Sequence, residues 1–134
     1  MKKIFVLGLS LFIFSCKKDG VGSIKKEIVG TWEIEKYSGY PFTQPPYPPG
    51  NGKIIMIGSD GNFERRAHDT LLFKGRYFVL HKKDCSPRES DLVLLTNETA
   101  SDSYSYVDIE NGKLTLTTPS CWADGGTAYY RRIQ

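Results

Sequence analysis

Val29-Gly30-Thr31-Trp32-Glu33-Ile34-Glu35-Lys36-Tyr37 decides the fold, because its large apolar and charged side chains alternate with a period of two. Trp32 and Ile34 fall on one face and Glu33 and Glu35 on the other, which predicts a strand with one side buried and the other in water. The same period recurs outward along the chain, giving expected strands at 29–37, 53–59, 62–68, 71–80, 92–96, 104–110, 113–118 and 127–133. Asp60-Gly61 and Asn111-Gly112 stand between apolar runs and predict tight hairpins. Ahead of the first strand, Ser23 is placed to cap a short helical turn over 24–28, which Gly30 ends. No other segment has a helical period. Eight short strands joined by hairpins predict an all-β fold, an eight-stranded antiparallel up-and-down barrel whose closure removes both free edges.

The chain has 134 residues, enough for one domain and too few for two. Hydrophobic residues at 40% and charged residues at 25% exclude a disordered chain and a polytopic membrane protein. The formal charge of +3 is scattered, so no nucleic-acid partner is expected.

The N-terminus carries an address. Lys2 and Lys3 precede an apolar run from Ile4 to Phe14, broken by Gly8 and Ser10. As a helix this run rises about 16 Å, roughly half of a ~30 Å hydrocarbon core, so it reads as a secretory signal and not a span. Ile13-Phe14-Ser15-Cys16 resembles the lipobox of bacterial lipoprotein precursors, with Phe14 where that family favours a small or branched residue. The resemblance implies cleavage after Ser15, a diacylglyceryl thioether on Cys16 and a third acyl chain on its new amine. Two or three chains, at ~0.8 kcal/mol per buried CH₂, hold a protein stably on a membrane. The alternative is an ordinary signal peptide that happens to contain a cysteine. The expected organisation is a signal peptide at 1–15, the lipidated Cys16 with a solvated tether at 16–22, and the barrel at 23–134. Lys17-Lys18-Asp19-Gly20 is similar to the charged stretch after the lipidated cysteine in surface-exposed lipoproteins of Bacteroidetes. The expected location is the outer membrane, on its periplasmic face or at the cell surface. Loss of Lys2 and Lys3 with the signal lowers the formal charge from +3 to +1, so the anchor needs no help from charge.

Cys85 and Cys121 remain, an even pair that in an exported chain is first read as a disulfide. Closing a loop of that length is worth ~4 kcal/mol in the chain-entropy model. Against it, the strand order puts the two cysteines at opposite barrel ends, and bonding needs Cα atoms within about 7 Å. Neither cysteine has a partner at metal-ligand spacing, so neither a metal nor another cofactor is expected.

Four further motifs follow Val29-Gly30-Thr31-Trp32 in order: Ser59-Asp60-Gly61-Asn62-Phe63, Gly75-Arg76-Tyr77, Leu114-Thr115-Leu116 and Tyr129-Tyr130-Arg131-Arg132. Together, over residues 28–133, they resemble the lipocalin-like domains of Bacteroidetes lipoproteins, and Gly30-Thr31-Trp32 is similar to the G-x-W opening of the lipocalin superfamily. The resemblance implies that Gly30 and Trp32 form the barrel floor, with an arginine from the last strand over the indole. Arg131 and Arg132 both qualify, and Tyr129 and Tyr130 are equally suited to the interior. Many members of the family have no assigned activity, so fold alone carries no function.

Alternation from Trp32 places Ile34, Ile55, Ile57, Phe63, Phe73, Tyr77, Val79, Leu114 and Leu116 inside. Such an interior suits an apolar or amphipathic small molecule, with Ile34, Phe63, Phe73 and Tyr77 as candidate contacts, or it simply fills a small barrel. Arg65 also points inward, where an unpaired guanidinium is costly; it must meet a carboxylate, reach the mouth or await an anionic ligand. The loop 38–52 holds five of the seven prolines with Tyr40, Phe42 and Tyr47 among them. In lipocalins the corresponding loop rims the ligand mouth, and this stiff, aromatic version suits a lid or a contact with another envelope protein. Catalysis finds little support, because no nucleophile has a base at recognisable spacing, and an enzyme would need a cleft gathering His68 or His81 with a carboxylate. Asp69-Thr70-Leu71 resembles the O-glycosylation motif of Bacteroidetes, and Asn97-Glu98-Thr99 matches an N-glycan sequon, which a bacterial chain does not use. The expectation is therefore a membrane-anchored binding protein, with a solid-core envelope module as the alternative.

Overall fold

The computed structural model describes residues 20–39, 41, 43–83, 89–97, 102–119 and 125–134. One helix, α1 (Gly20–Glu27), precedes eight strands: β1 (Gly30–Gly39), β2 (Lys53–Ile57), β3 (Asn62–Ala67), β4 (Thr70–Lys83), β5 (Glu89–Asn97), β6 (Ser103–Glu110), β7 (Lys113–Thr117) and β8 (Gly126–Arg132). Each strand pairs antiparallel with the next, and β8 returns to β1, so the sheet closes in strict sequence order. The period-two reading found every strand, with ends displaced by up to three residues.

The turns explain the displaced ends of β2 and β3 and the start of β4. Asn111 takes a left-handed φ of 51° and Gly112 one of 74°, which is the two-residue hairpin expected from Asn-Gly. Between β2 and β3 the connection is four residues, Gly58 to Gly61, because Gly58 N–H donates to Asn62 O and the Asp60 carboxylate accepts from Asn62 N–H at 3.0 Å. His68, read from the sequence as the end of a strand, is in the β3–β4 turn with a φ of 53°. The helix also starts earlier than expected. Ser23 is inside it, its hydroxyl bonded to the Glu27 carboxylate one turn on, because Val21, Ile24 and Ile28 continue one apolar stripe.

That stripe plugs one end of the barrel. Ile28 and Trp32 have no exposed surface, and Ile24 packs against the same core. Ile57, Phe63 and Tyr77 fill the plugged half, and Ile55, Val93, Leu95, Val107, Leu114 and Leu116 complete the buried core, each contributing roughly 1.5–3 kcal/mol by leaving water. Gly75, opposite Phe63, has no room for a side chain, since a Cβ there would stand 1.9 Å from Thr96 O.

Two β-bulges break the alternation. On β1, Ile34 pairs with Tyr130 and Lys36 with Tyr129, so Glu35 is an extra residue and the inner face resumes at Tyr37. On β4, Phe73 pairs with Arg65 and Leu71 with Arg66, which makes Leu72 the extra residue. Both bulges are toward the end away from α1, where a bulge bends the wall and re-aims side chains.

Candidate functional site

The floor is built around Gly30, Trp32 and Arg132. Arg132 is opposite Trp32 in the β1–β8 register and holds its guanidinium carbon 4.2 Å from the centre of the indole. It also donates to Val29 O at 2.9 Å and to Glu27 O, while the indole N–H donates to Ile28 O at 2.8 Å. The carbonyls left free at the helix C-terminus are thus taken by two side chains of the floor, and the cation faces the negative end of the helix dipole. Gly30 is required here: its φ is 151°, and a Cβ would meet Arg132 Nη1 at 2.7 Å and Gln134 O at 2.8 Å. The pairing settles the choice the sequence left open. Arg132 and Tyr130 face inward, Arg131 and the exposed Tyr129 outward.

Arg131 has a different role. Its Nε donates to the Glu33 carboxylate at 2.9 Å, and Nη1 is 3.6 Å from Glu35, which also holds Lys113 at 3.2 Å. Glu33 does not face water as expected, for it is 3% exposed. The proline loop covers it. β2 pairs only with residues 30–33 of β1, so beyond Glu33 the β1 edge is free, and the loop takes its place. Tyr47 N–H donates to Glu35 O at 2.7 Å, Gln44 N–H to Tyr37 O at 3.2 Å, and Asn51 Nδ2 to Ile34 O at 2.9 Å. Gly50 and Gly52, both with left-handed φ, aim their N–H groups at the Glu33 carboxylate at 3.0 and 3.1 Å. Burial alone pushes that carboxyl's pKa up, but these two N–H groups and Arg131 outweigh it and hold the pKa below its ordinary value.

At the end away from α1 the barrel opens into a pocket of about 290 Å³. Ile34, Ile55, Leu72, Phe73 and Tyr130 form its apolar wall, and Lys53, Arg65 and Arg66 its cations. Phe73 is inward but not buried as expected; it is 41% exposed because it stands at this opening, next to the Leu72 bulge. Of the residues singled out as ligand contacts, Ile34, Arg65 and Phe73 come together here. Phe63 and Tyr77 do not, since both are in the plugged half, where the Tyr77 hydroxyl donates to Gly58 O at 2.9 Å and staples the β2–β3 turn. Tyr47 stands beside the rim, with the Lys53 ammonium 4.2 Å from its ring centre, and does not line the pocket. Cys16, Tyr40, Phe42, Cys85 and Cys121 lie outside the described residues.

Lys53, Ile54, Arg66, Ala67, Leu72 and Tyr130 are pocket residues that sequence reasoning did not select. Tyr130 was accessible in principle: once Arg132 is set opposite Trp32, alternation puts Tyr130 opposite Ile34. No family model, curated protein or solved structure matches this chain.

Proposed function

We propose that this is an exported, lipid-anchored, lipocalin-like binding protein that takes a small amphipathic molecule into the mouth of its barrel and is not an enzyme. The observation that carries this reading is the asymmetry of the interior. One half is filled by large side chains, while the other leaves an apolar pocket of about 290 Å³ bounded by two β-bulges. A barrel selected only for stability has no use for exposed Phe73 and Leu72 at an open end. The anchor rests on the N-terminal residues, in which Cys16 is the lipid acceptor and the outer membrane the destination.

Native mass spectrometry of protein purified from its own host tests the ligand: a co-purifying adduct of small-molecule mass is expected, and a bare protein mass counts against it. Replacing Cys16 by Ser tests the anchor, and the expected result is release from the membrane fraction. A second reading, a solid envelope module that contacts a partner protein, draws on the run Leu71-Leu72-Phe73, each residue of which is more than two-fifths exposed at the rim. Under that reading the apolar rim is the contact and the pocket stays empty.

A further inference from the structure

The charges around the pocket are one-sided: Lys53, Arg65 and Arg66 line it, and no carboxylate does so among the described residues. Two of the three cations are already engaged. Arg66 is held by Glu64 through Nε at 3.0 Å and Nη2 at 2.8 Å, and Lys53 rests against the Tyr47 ring.

Arg65 is different. It is flanked across the sheet by Ile55 on β2 and Phe73 on β4, both inner-face residues. Its Nε is buried and has no acceptor among the described residues, where it is the one buried side-chain nitrogen or oxygen so left. A buried donor without an acceptor is costly, more so when charged, and a structure keeps one where something else completes it. Tyr130 shares the pocket with Arg65; burial raises its pKa against the opposing effect of the Arg65 charge, so at neutral pH its hydroxyl is a proton donor.

We propose that the ligand is a small carboxylic acid in its anionic form, its carboxylate accepting from the Arg65 guanidinium and its apolar body lying on Ile34, Ile55, Leu72 and Phe73. A guanidinium matches a planar carboxylate in shape as well as charge. The volume limits the size: at about 30 Å³ for each water-sized group, a pocket of about 290 Å³ takes roughly ten non-hydrogen atoms. A medium-chain or single-ring acid meets that limit. The inference rests on the reading of the mouth as a ligand site, and the experiment separates the two.

Octanoate and 1-octanol, alike in chain and different in charge, are titrated at pH 7 by calorimetry into the full chain carrying Cys16→Ser, which keeps detergent out. The expected result is octanoate binding at least tenfold tighter than 1-octanol, as a charge-assisted hydrogen bond provides. Arg65→Met is expected to weaken octanoate at least tenfold and to remove the preference for octanoate over 1-octanol. Equal binding of the two probes, or octanoate binding unaffected by Arg65→Met, overturns the carboxylate inference while the pocket remains a ligand site. Failure of both probes to bind overturns the ligand-site reading and the inference together. Should Arg65→Met not fold, the comparison of probes on the parent chain still decides.

Discussion

Glu33 and Arg131 meet across the β1–β8 seam at 2.9 Å on the outer side of the barrel, yet the carboxylate is sealed from water. The seal is the proline loop, laid along the part of β1 that β2 does not reach. One acidic side chain thus joins the first strand, the last strand and the longest connection. Removing it strands the Arg131 guanidinium and the N–H groups of Gly50 and Gly52 together. Glu33→Ala is expected to lower the unfolding free energy by about 3 kcal/mol, and Glu33→Gln, which keeps an acceptor, by about half as much. Urea denaturation measures both, and equal losses would contradict the arrangement.

The same carboxyl sets an acid limit. Its folded pKa is below the ordinary 4.5, because N–H donors and Arg131 overcome the effect of burial. A depressed carboxyl contributes stability that is fully present above the unfolded pKa and fades as pH falls through the folded one. The stability gap between the parent chain and Glu33→Gln is therefore expected to be constant from pH 7 to about 5 and to narrow below pH 4.5. A gap that persists unchanged to pH 3 would remove Glu33 from the account of acid sensitivity.

At the floor, Arg132 and Trp32 make a separable prediction. Arg132→Met loses a cation–π contact of ~0.5–2 kcal/mol and a charge at the helix C-terminus of ~0.3–1 kcal/mol. The expected loss is about 2 kcal/mol, together with reduced helicity by circular dichroism as α1 frays. Unchanged helicity would mean that α1 does not depend on this guanidinium.

Gly30→Ala probes the same corner from the backbone. The new methyl group meets Arg132 Nη1 and Gln134 O inside normal contact distance, at a φ that side chains rarely adopt. A loss of about 2 kcal/mol is expected from the strain. Tolerance of alanine within 0.5 kcal/mol would show that the C-terminal residues shift freely and that Gly30 is not needed there.

How far the sequence could be read depended on how local each feature is. The strands were legible because Trp32/Ile34 against Glu33/Glu35, and Leu114/Leu116 against Thr115, are neighbours in the chain, and most of the inner face of the sheet is buried. The bulges at Glu35 and Leu72 were not, because one extra residue in a pairing leaves no composition signal. The fate of Glu33 was hidden for a related reason: alternation assigns a face of the sheet, and it does not say that a loop seventeen residues later will cover that face. Gly50-Asn51-Gly52 after the prolines was the available hint, since two glycines so close suit a backbone that turns both N–H groups to one acceptor. For the pocket, Arg65 was found by asking where an inward cation goes, and the answer, a buried Nε with no acceptor among the described residues, needed the fold.

In the proposed function the open half of this barrel, and not its outer wall, receives the ligand. Amide chemical-shift mapping during an octanoate titration tests it most directly. The largest shifts are predicted at Ile34, Arg65, Phe73 and Tyr130, with Ile57 and Tyr77 in the plugged half unmoved. Shifts confined to the outward-facing Met56, Phe78 and Tyr129, or no saturable shifts at all, would contradict it.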